Sequence, residues 1–342
     1  MIKIRTGSEA DIDIVNAFYS AEAPTARVSV DERFVLAEDG RQLIGVVRLS
    51  NEHGHWVLRT MRVKESYRRQ GIGKQMLEIF EFLLPLHGEC YCLPYAHLTA
   101  FYSRIGFEII PAQEAPQHLQ ARHHRYSEEG QDVCVMKRSA DRSRDRMREK
   151  VFGLLRSQAG HFRYESGHHS DRWFDLEDLC IKPQQVQPFA VALANQLAQY
   201  RIDGVCGPLN EGAFLSLMVA SELDVEFSYS ERSDTGRRDI LYPVQYRIPK
   251  VLGEKVRGKR IAIVNDVISA GSAVRSTIED LAACGARPYA VGALLILGDS
   301  FLTFCAGNPH GFALQSLAFA PNNLWEPANC PLCVSNVPLE EK

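Results

Sequence analysis

The stretch from Lys137 to Lys150 sets the first limit on what this chain can fold into. Apolar residues recur up to Val135 and again from Val151, but the run between them is almost wholly charged or small. A segment with nothing to bury divides the chain into two separate cores, and 342 residues with 45% hydrophobic content are enough to build both. Acids are interleaved with bases here, Asp141 three residues before Arg144 and Asp145 three before Arg148. That spacing predicts a solvated linker helix over 139–150 rather than a nucleic-acid patch. The expected organisation is a first domain over 1–138, the linker, and a second domain over 151–342.

The overall balance, 39 Lys and Arg against 42 Asp and Glu for a net charge of -3, advertises neither a nucleic-acid nor a membrane-surface partner, so small-molecule substrates are expected. The longest apolar run, Ala290 to Leu297, is far too short to span a bilayer, and the first residues hold no apolar leader core. A soluble, cytoplasmic protein is the expectation. Nine cysteines without a secretory signal argue for reduced thiols rather than a disulfide framework. The one close pair, Cys330 and Cys333, brings two of the four ligands that a zinc site needs, so a structural turn and no metal is expected there, with His310 or a second subunit left as ways to complete it. Pro111 to Gly130 and the tail after Pro321 read as unstructured.

In the first half, Phe34–Ala37 and Leu43–Leu49 flank the turn Glu38-Asp39-Gly40-Arg41 and read as a β-hairpin. A strand over Trp56–Val63 leads into the basic, glycine-bearing stretch Arg68-Arg69-Gln70-Gly71-Ile72-Gly73-Lys74, and an amphipathic helix follows with Ile72, Met76, Leu77, Ile79, Phe80 and Leu83 on one side. Glycines at a helix start let a ligand approach the backbone, where unpaired N–H groups and the dipole favour an anion.

The series Val63, Arg68-x-x-Gly71-x-Gly73 resembles the segment with which GNAT-family acetyltransferases hold the pyrophosphate of acetyl-CoA. Ala100-Phe101-Tyr102-Ser103-Arg104-Ile105-Gly106-Phe107 is similar to that family's FYxRxGF segment. The resemblance implies a mixed α/β sheet, acetyl-CoA held by Met61, Val63, Arg68, Arg69, Gln70, Gly71, Gly73 and Lys74, and Tyr102 as the acid that protonates the departing thiolate. The other reading of Tyr102 is a core ring with a hydrogen-bonded hydroxyl. No general base is assigned: Glu22, His53, His55 and His97 are candidates that fit surface or core roles equally well.

In the second half, Lys259 to Thr277 opens with a buried-strand pattern ending in Asn265 and Asp266, passes through Ser269-Ala270-Gly271-Ser272-Ala273, and continues as a helix with Val274, Ile278, Leu281 and Ala282 on its apolar face. Gly285 stops that helix before the strand Ala290–Leu297, which completes a βαβ unit. Small and hydroxyl residues at the strand-to-helix turn can wrap a phosphate monoester, and a carboxylate at the strand end can accept from sugar hydroxyls.

This segment resembles the phosphoribosyl-pyrophosphate (PRPP) motif of type I phosphoribosyltransferases, closest to the orotate branch with its VDDVITAGTA pattern. His161–Asp175 is similar to that branch's stretch near the base site, and Gly204–Ala213 to its pyrophosphate loop. The resemblance implies a Rossmann-like second domain, PRPP carried with Mg2+ and held by Asn265, Asp266 and Ser269–Ala273, and a homodimer. It also implies a mobile loop over Ser230–Leu241 whose Arg232, Arg237 and Arg238 neutralise pyrophosphate, with Asp266 and Arg232 as catalytic groups. Asn265 stands where the motif has an acid, Glu211 puts a negative charge in the pyrophosphate loop, Glu165 replaces a lysine, and Arg232 replaces the loop lysine. These changes point away from orotate as the base. The whole reads as an α/β fusion of acetyltransferase and phosphoribosyltransferase, the alternatives being a second domain that senses PRPP or a nucleotide, or one that is only a structural tail.

Overall fold

The computed structural model describes residues 2–234, 241–308 and 311–340, apart from the side chains of Glu211 and Asp234. The chain divides into two compact units, Met1–Met147 and Arg148–Lys342. Among the described residues no helix is long and apolar enough to cross a membrane.

The first unit runs β1 (Ile2–Thr6), α1 (Ile12–Glu22), β2 (Arg33–Asp39), β3 (Gln42–Glu52), β4 (His55–Val63), α2 (Ile72–Phe80), β5 (Cys90–Cys92), α3 (Thr99–Ser103), β6 (Glu108–Ile110), α4 (Gln117–Glu128) and β7 (Val135–Arg138), and then enters α5 (Ala140–Leu154). Its seven strands form one sheet in the order β1-β2-β3-β4-β5-β7-β6. The expected hairpin is β2 and β3, which pair antiparallel from Arg33 with Leu49 to Asp39 with Gln42. Its apolar residues are buried against α1, where Val15, Phe18 and Tyr19 close the core with Phe34, Leu36 and Val46.

Two expectations for this unit need correction. Residues 117–128 are helical rather than unstructured: α4 shows no apolar period because a single fully buried residue, Leu119, anchors it against Val57, Tyr91, Ala115 and Val135. The charged segment is a helix as expected, with Asp141, Arg142, Arg144, Asp145, Arg148 and Glu149 exposed, but it is docked along one side, where Ser143 and Met147 of α5 are buried. Its arginines hold it in place. Arg146 pairs with the buried Glu81, which also takes Arg138 at 3.2 Å.

The second unit contains β8 (Arg156–Arg163), β9 (His169–Asp175), α6 (Pro183–Leu197), β10 (Gly204–Pro208), α7 (Glu211–Leu223), β11 (Glu226–Asp234), β12 (Val244–Arg247), α8 (Lys250–Val256), β13 (Arg260–Ile268), α9 (Ser272–Ala283), β14 (Arg287–Leu297), α10 (Ser300–Gly307), β15 (Ala313–Ala320) and α11 (Pro331–Val334). Six strands form a sheet ordered β12-β11-β10-β13-β14-β15, parallel except for β12, and β8 with β9 makes a separate hairpin. The unbroken apolar run of β14 is explained by helices on both faces of the sheet: Val291 and Ala293 share a core with Ile278 and Leu281 of α9, while Gly292 faces Leu193 and Leu197 of α6. Chain direction across the sheet reverses between β10 and β13, so the helices that follow them leave in opposite directions and open a crevice at their carboxyl ends.

The tail after Pro321 is ordered by pairing far along the chain rather than by local pattern. Trp325 and His169 exchange backbone hydrogen bonds of 2.9 and 2.8 Å, and the Glu340 N–H donates to the His161 carbonyl at 2.7 Å.

Candidate active sites

In the first unit the parallel partners β4 and β5 touch only at Trp56 with Cys90 and Val57 with Tyr91. Beyond that point they splay, and residues from Leu58 to Arg62 and from Cys92 to Tyr95 border a cavity of about 770 Å³. The splay leaves unpaired strand backbone facing the cavity, where an extended ligand can hydrogen-bond to it. A register shift between Val46 and Arg48 kinks the sheet at the same place, with Thr60 in the left-handed region at φ 44°.

Tyr102 borders this cavity at 7% exposure, and burial pushes its phenol well above the ordinary value, so it keeps its proton through the neutral range. Met61 borders the cavity as well. Arg68, Arg69, Gln70 and Gly71 are exposed ahead of α2, with Arg68 Nε donating to the Val63 carbonyl at 3.0 Å and Gln70 Nε2 to that of Ser66 at 3.0 Å. Gly71 sits at φ 81° as the residue before the first turn, a conformation that requires glycine, and no side chain caps the helix. Gly73 has a different reason. A Cβ there would stand 3.3 Å from the Phe101 ring and 3.4 Å from Met61 Cε, so a side chain would crowd both. Lys74 is exposed and faces Glu78 at 3.7 Å. The structure thus brings Met61 and Tyr102 to the cavity and leaves the loop from Arg68 to Lys74 beside its helix terminus.

Of the four base candidates, Glu22 borders the cavity, while His53 and His55 pack their rings on His118 and His97 stacks on Tyr95. Five arginines that the sequence did not single out also border it: Arg48, Arg59, Arg62, Arg122 and Arg125. Arg48 is paired with Glu32, and Arg59 and Arg122 with Glu52. Burial would raise the Glu52 carboxyl, but the two arginines outweigh it and hold it below the usual range. Nothing local flagged these residues, because two of them lie in α4, which lacks an apolar period.

In the second unit a cavity of about 460 Å³ lies at the reversal point of the sheet. One wall is the β13-to-α9 turn, with Ser269, Ala270, Gly271, Ser272 and Ala273. The other is the β8–β9 hairpin, with Tyr164, Glu165, Ser166, Trp173 and Asp175. Gly271 precedes the first turn of α9 at φ 77°, and a Cβ there would sit 2.3 Å from the Phe301 ring, so both conformation and packing fix glycine. Ser269 Oγ accepts from Asn322 Nδ2 at 3.1 Å, which holds the turn.

Neighbours in a strand face opposite sides, and this separates the two motif residues. Asn265 borders the cavity, with Nδ2 donating to the Val267 carbonyl at 3.0 Å, and its Oδ1 lies 2.1 Å from where a Cβ on Gly212 would fall. Asp266 is fully buried and does not border the cavity, and its Oδ1 accepts from the Val267 N–H at 2.6 Å. Arg232, expected in a loop over the site, is an exposed residue of β11 paired in register with Tyr246, outside the cavity lining. Arg237 and Arg238 lie outside the described residues, as does the Glu211 side chain. Glu165, Asp175 and Glu177 all border the cavity, and no Lys or Arg does among the described residues. The Tyr246 hydroxyl donates to Glu165 Oε2 at 3.1 Å.

The Cys330–Cys333 pair stands beside His161 and His169 of the hairpin, two residues that no local spacing joins to it. His310, named as a partner for the pair, lies outside the described residues.

Residues 30–109 match the family described as an acetyltransferase (GNAT) domain. The chain is 29% identical over 199 residues to the orotate phosphoribosyltransferase of Caldanaerobacter subterraneus subsp. tengcongensis, an alignment covering 56% of this chain and 95% of that protein. It is 28% identical over 197 residues to the orotate phosphoribosyltransferase of Thermotoga maritima, covering 56% and 93%. Among solved structures, orotate phosphoribosyltransferase from Aeropyrum pernix aligns with a TM-score of 0.38 at 21% identity, over 52% of this chain and 92% of that one. The chain carries a GNAT acetyltransferase domain at residues 30–109 and, over about half of its length, is a homologue of orotate phosphoribosyltransferases.

Proposed function

We propose that the chain is a bifunctional transferase: the first unit moves an acetyl group from acetyl-CoA to an amine, and the second moves a phosphoribosyl group from PRPP, presented with Mg2+, to a nitrogen base other than orotate. The observation that carries the second half is the cavity at the sheet reversal, where a small-residue turn at a helix N-terminus meets an acidic hairpin wall. The turn suits the 5-phosphate, through backbone N–H groups and the hydroxyls of Ser269 and Ser272. Asn265 is the polar side chain at hand for the ribose. Pyrophosphate then leaves C1 as the base nitrogen attacks, and the base loses its proton to solvent. Glu165, Asp175 and Glu177 repel an anionic base and favour one that presents N–H donors or positive charge.

In the first unit the thioester lies in the wedge between β4 and β5. The neutral acceptor amine attacks the carbonyl carbon, its nitrogen passes a proton by way of Glu22 or Glu129 to solvent as the carbon–sulfur bond breaks, and the sulfur leaves with the proton of Tyr102, whose phenolate is reprotonated from solvent. Arg62 and Arg125, beside three arginines already paired with Glu32 and Glu52, favour an acceptor that carries a carboxylate or phosphate besides its amine. The homodimer that the orotate branch implies belongs to the same proposal, and light scattering on the full chain reads it.

A second reading has its own support. Asp266 is buried on its own backbone and Asn265 takes its place in the cavity, which suits a domain that binds PRPP or a nucleotide without turnover and regulates the acetyltransferase. Incubating the protein with PRPP, Mg2+ and a panel of amino-bearing and acidic bases separates the two. Pyrophosphate release with an amino-bearing base and none with orotate is the expected result. No release with any base, while PRPP still binds, contradicts the enzyme reading and leaves the sensor.

A further inference from the structure

Four side chains from two distant parts of the second unit converge on one point. His161 lies two residues before the end of β8 and His169 begins β9, on either side of the hairpin turn, while Cys330 and Cys333 bracket the start of α11 in the tail. Their ligand atoms all lie within 4.8 Å of one another. Cys330 Sγ is 3.4 Å and Cys333 Sγ 3.7 Å from His161 Nε2, Cys333 Sγ is 3.3 Å from His169 Nδ1, and the two imidazole nitrogens are 3.0 Å apart. A tetrahedron with metal–sulfur bonds of about 2.3 Å and metal–nitrogen bonds of about 2.0 Å has sulfur–nitrogen edges near 3.5 Å and a nitrogen–nitrogen edge near 3.3 Å. The observed separations are those edges to within a few tenths of an ångström.

The surroundings agree. His161 Nδ1 lies 2.8 Å from the Val337 carbonyl, which can only accept, so that nitrogen carries the proton and Nε2 turns a lone pair toward the cluster. A metal-binding histidine is oriented in this way by a carbonyl behind it. His161, His169 and Cys330 are buried, and neither cysteine is in a disulfide.

We propose that His161, His169, Cys330 and Cys333 bind one Zn2+ as a closed structural site that staples the tail to the β8–β9 hairpin. Two thiols lose their protons to solvent as the ion enters, and two thiolates with two neutral imidazoles leave the centre uncharged. Four protein ligands leave no position for substrate, so the ion is structural rather than catalytic. Its effect on function is indirect: the turn residues Tyr164, Glu165 and Ser166 lie between the two histidines in sequence and form one wall of the phosphate-loop cavity.

The test is metal analysis of the full chain purified without added chelator, beside Cys330→Ser/Cys333→Ser and, as a thiol control in the first unit, Cys134→Ser. Roughly one zinc per chain is expected in the wild type and in Cys134→Ser, and none in the double variant. Because the double variant can fail for want of folding, the wild type is also stripped with a chelator and titrated with Co2+. Saturation at about one ion, with visible bands of tetrahedral sulfur–nitrogen coordination and a thermal midpoint raised by several degrees, supports the site. Sub-stoichiometric metal in the wild type, full zinc in the double variant, or a Cys330–Cys333 disulfide in place of metal overturns it.

Discussion

Replacing Tyr102 with phenylalanine is expected to lower kcat for acetyl transfer by about 10²- to 10⁴-fold, the usual contribution of a positioned acid, while leaving the KM for acetyl-CoA within a few-fold. The substitution keeps the ring that packs at 7% exposure and removes only the hydroxyl. Burial holds the phenol protonated, so the wild-type rate should show no alkaline fall due to Tyr102 below about pH 10. Steady-state kinetics with any accepted amine decides the matter. Unchanged kcat would mean that the ring is core and that the thiolate leaves unaided.

Replacing Glu81 with alanine is expected to cost the first unit about 3–5 kcal/mol of stability. The carboxylate is 2% exposed and stands between Arg138, also 2% exposed, and Arg146. Burial already pulls the Arg138 guanidinium down to about 10, a sign of how little solvent reaches it. Without Glu81 the guanidinium keeps its hydrogen bond to the Ile105 carbonyl at 2.8 Å but loses its counter-charge. Arg146 loses the contact that docks α5. Thermal unfolding followed by circular dichroism should show a fall of about 10 °C or more. A change within a couple of degrees would show that the triad is dispensable to folding.

The elements that were legible in the sequence are those whose pattern is local. The β2–β3 hairpin announces itself by strand residues around a turn, and the unit from β13 through α9 to β14 by a buried run, a small-residue turn and a helical apolar face. The site residues divide on the same principle. Ser269–Ala273 border one cavity together because a turn and its helix are adjacent in sequence. Asp266 does not border it, because motif matching cannot say which of two neighbouring strand residues faces the crevice, and here Asn265 does. Arg232 looks like a loop residue in sequence because nothing in its neighbourhood shows that β12 pairs with β11 as far as Asp234. The partners of Cys330 and Cys333 lie more than a hundred and sixty residues away on a hairpin edge, and only the sheet pairing of the tail brings them together.

A single substitution tests the proposed phosphate site from Ser269 to Ala273 without threatening the fold. Ala273 lies in the first turn of α9 and borders the cavity, so Ala273→Asp places a carboxylate where the helix dipole tolerates it but a phosphate would have to sit. Calorimetric titration with PRPP and Mg2+ is expected to give saturable binding for the wild type and affinity weakened at least 100-fold, about 3 kcal/mol, for the variant at an unchanged melting temperature. Equal affinity in the two proteins, or no binding by the wild type, would rule out a phosphate site at this turn.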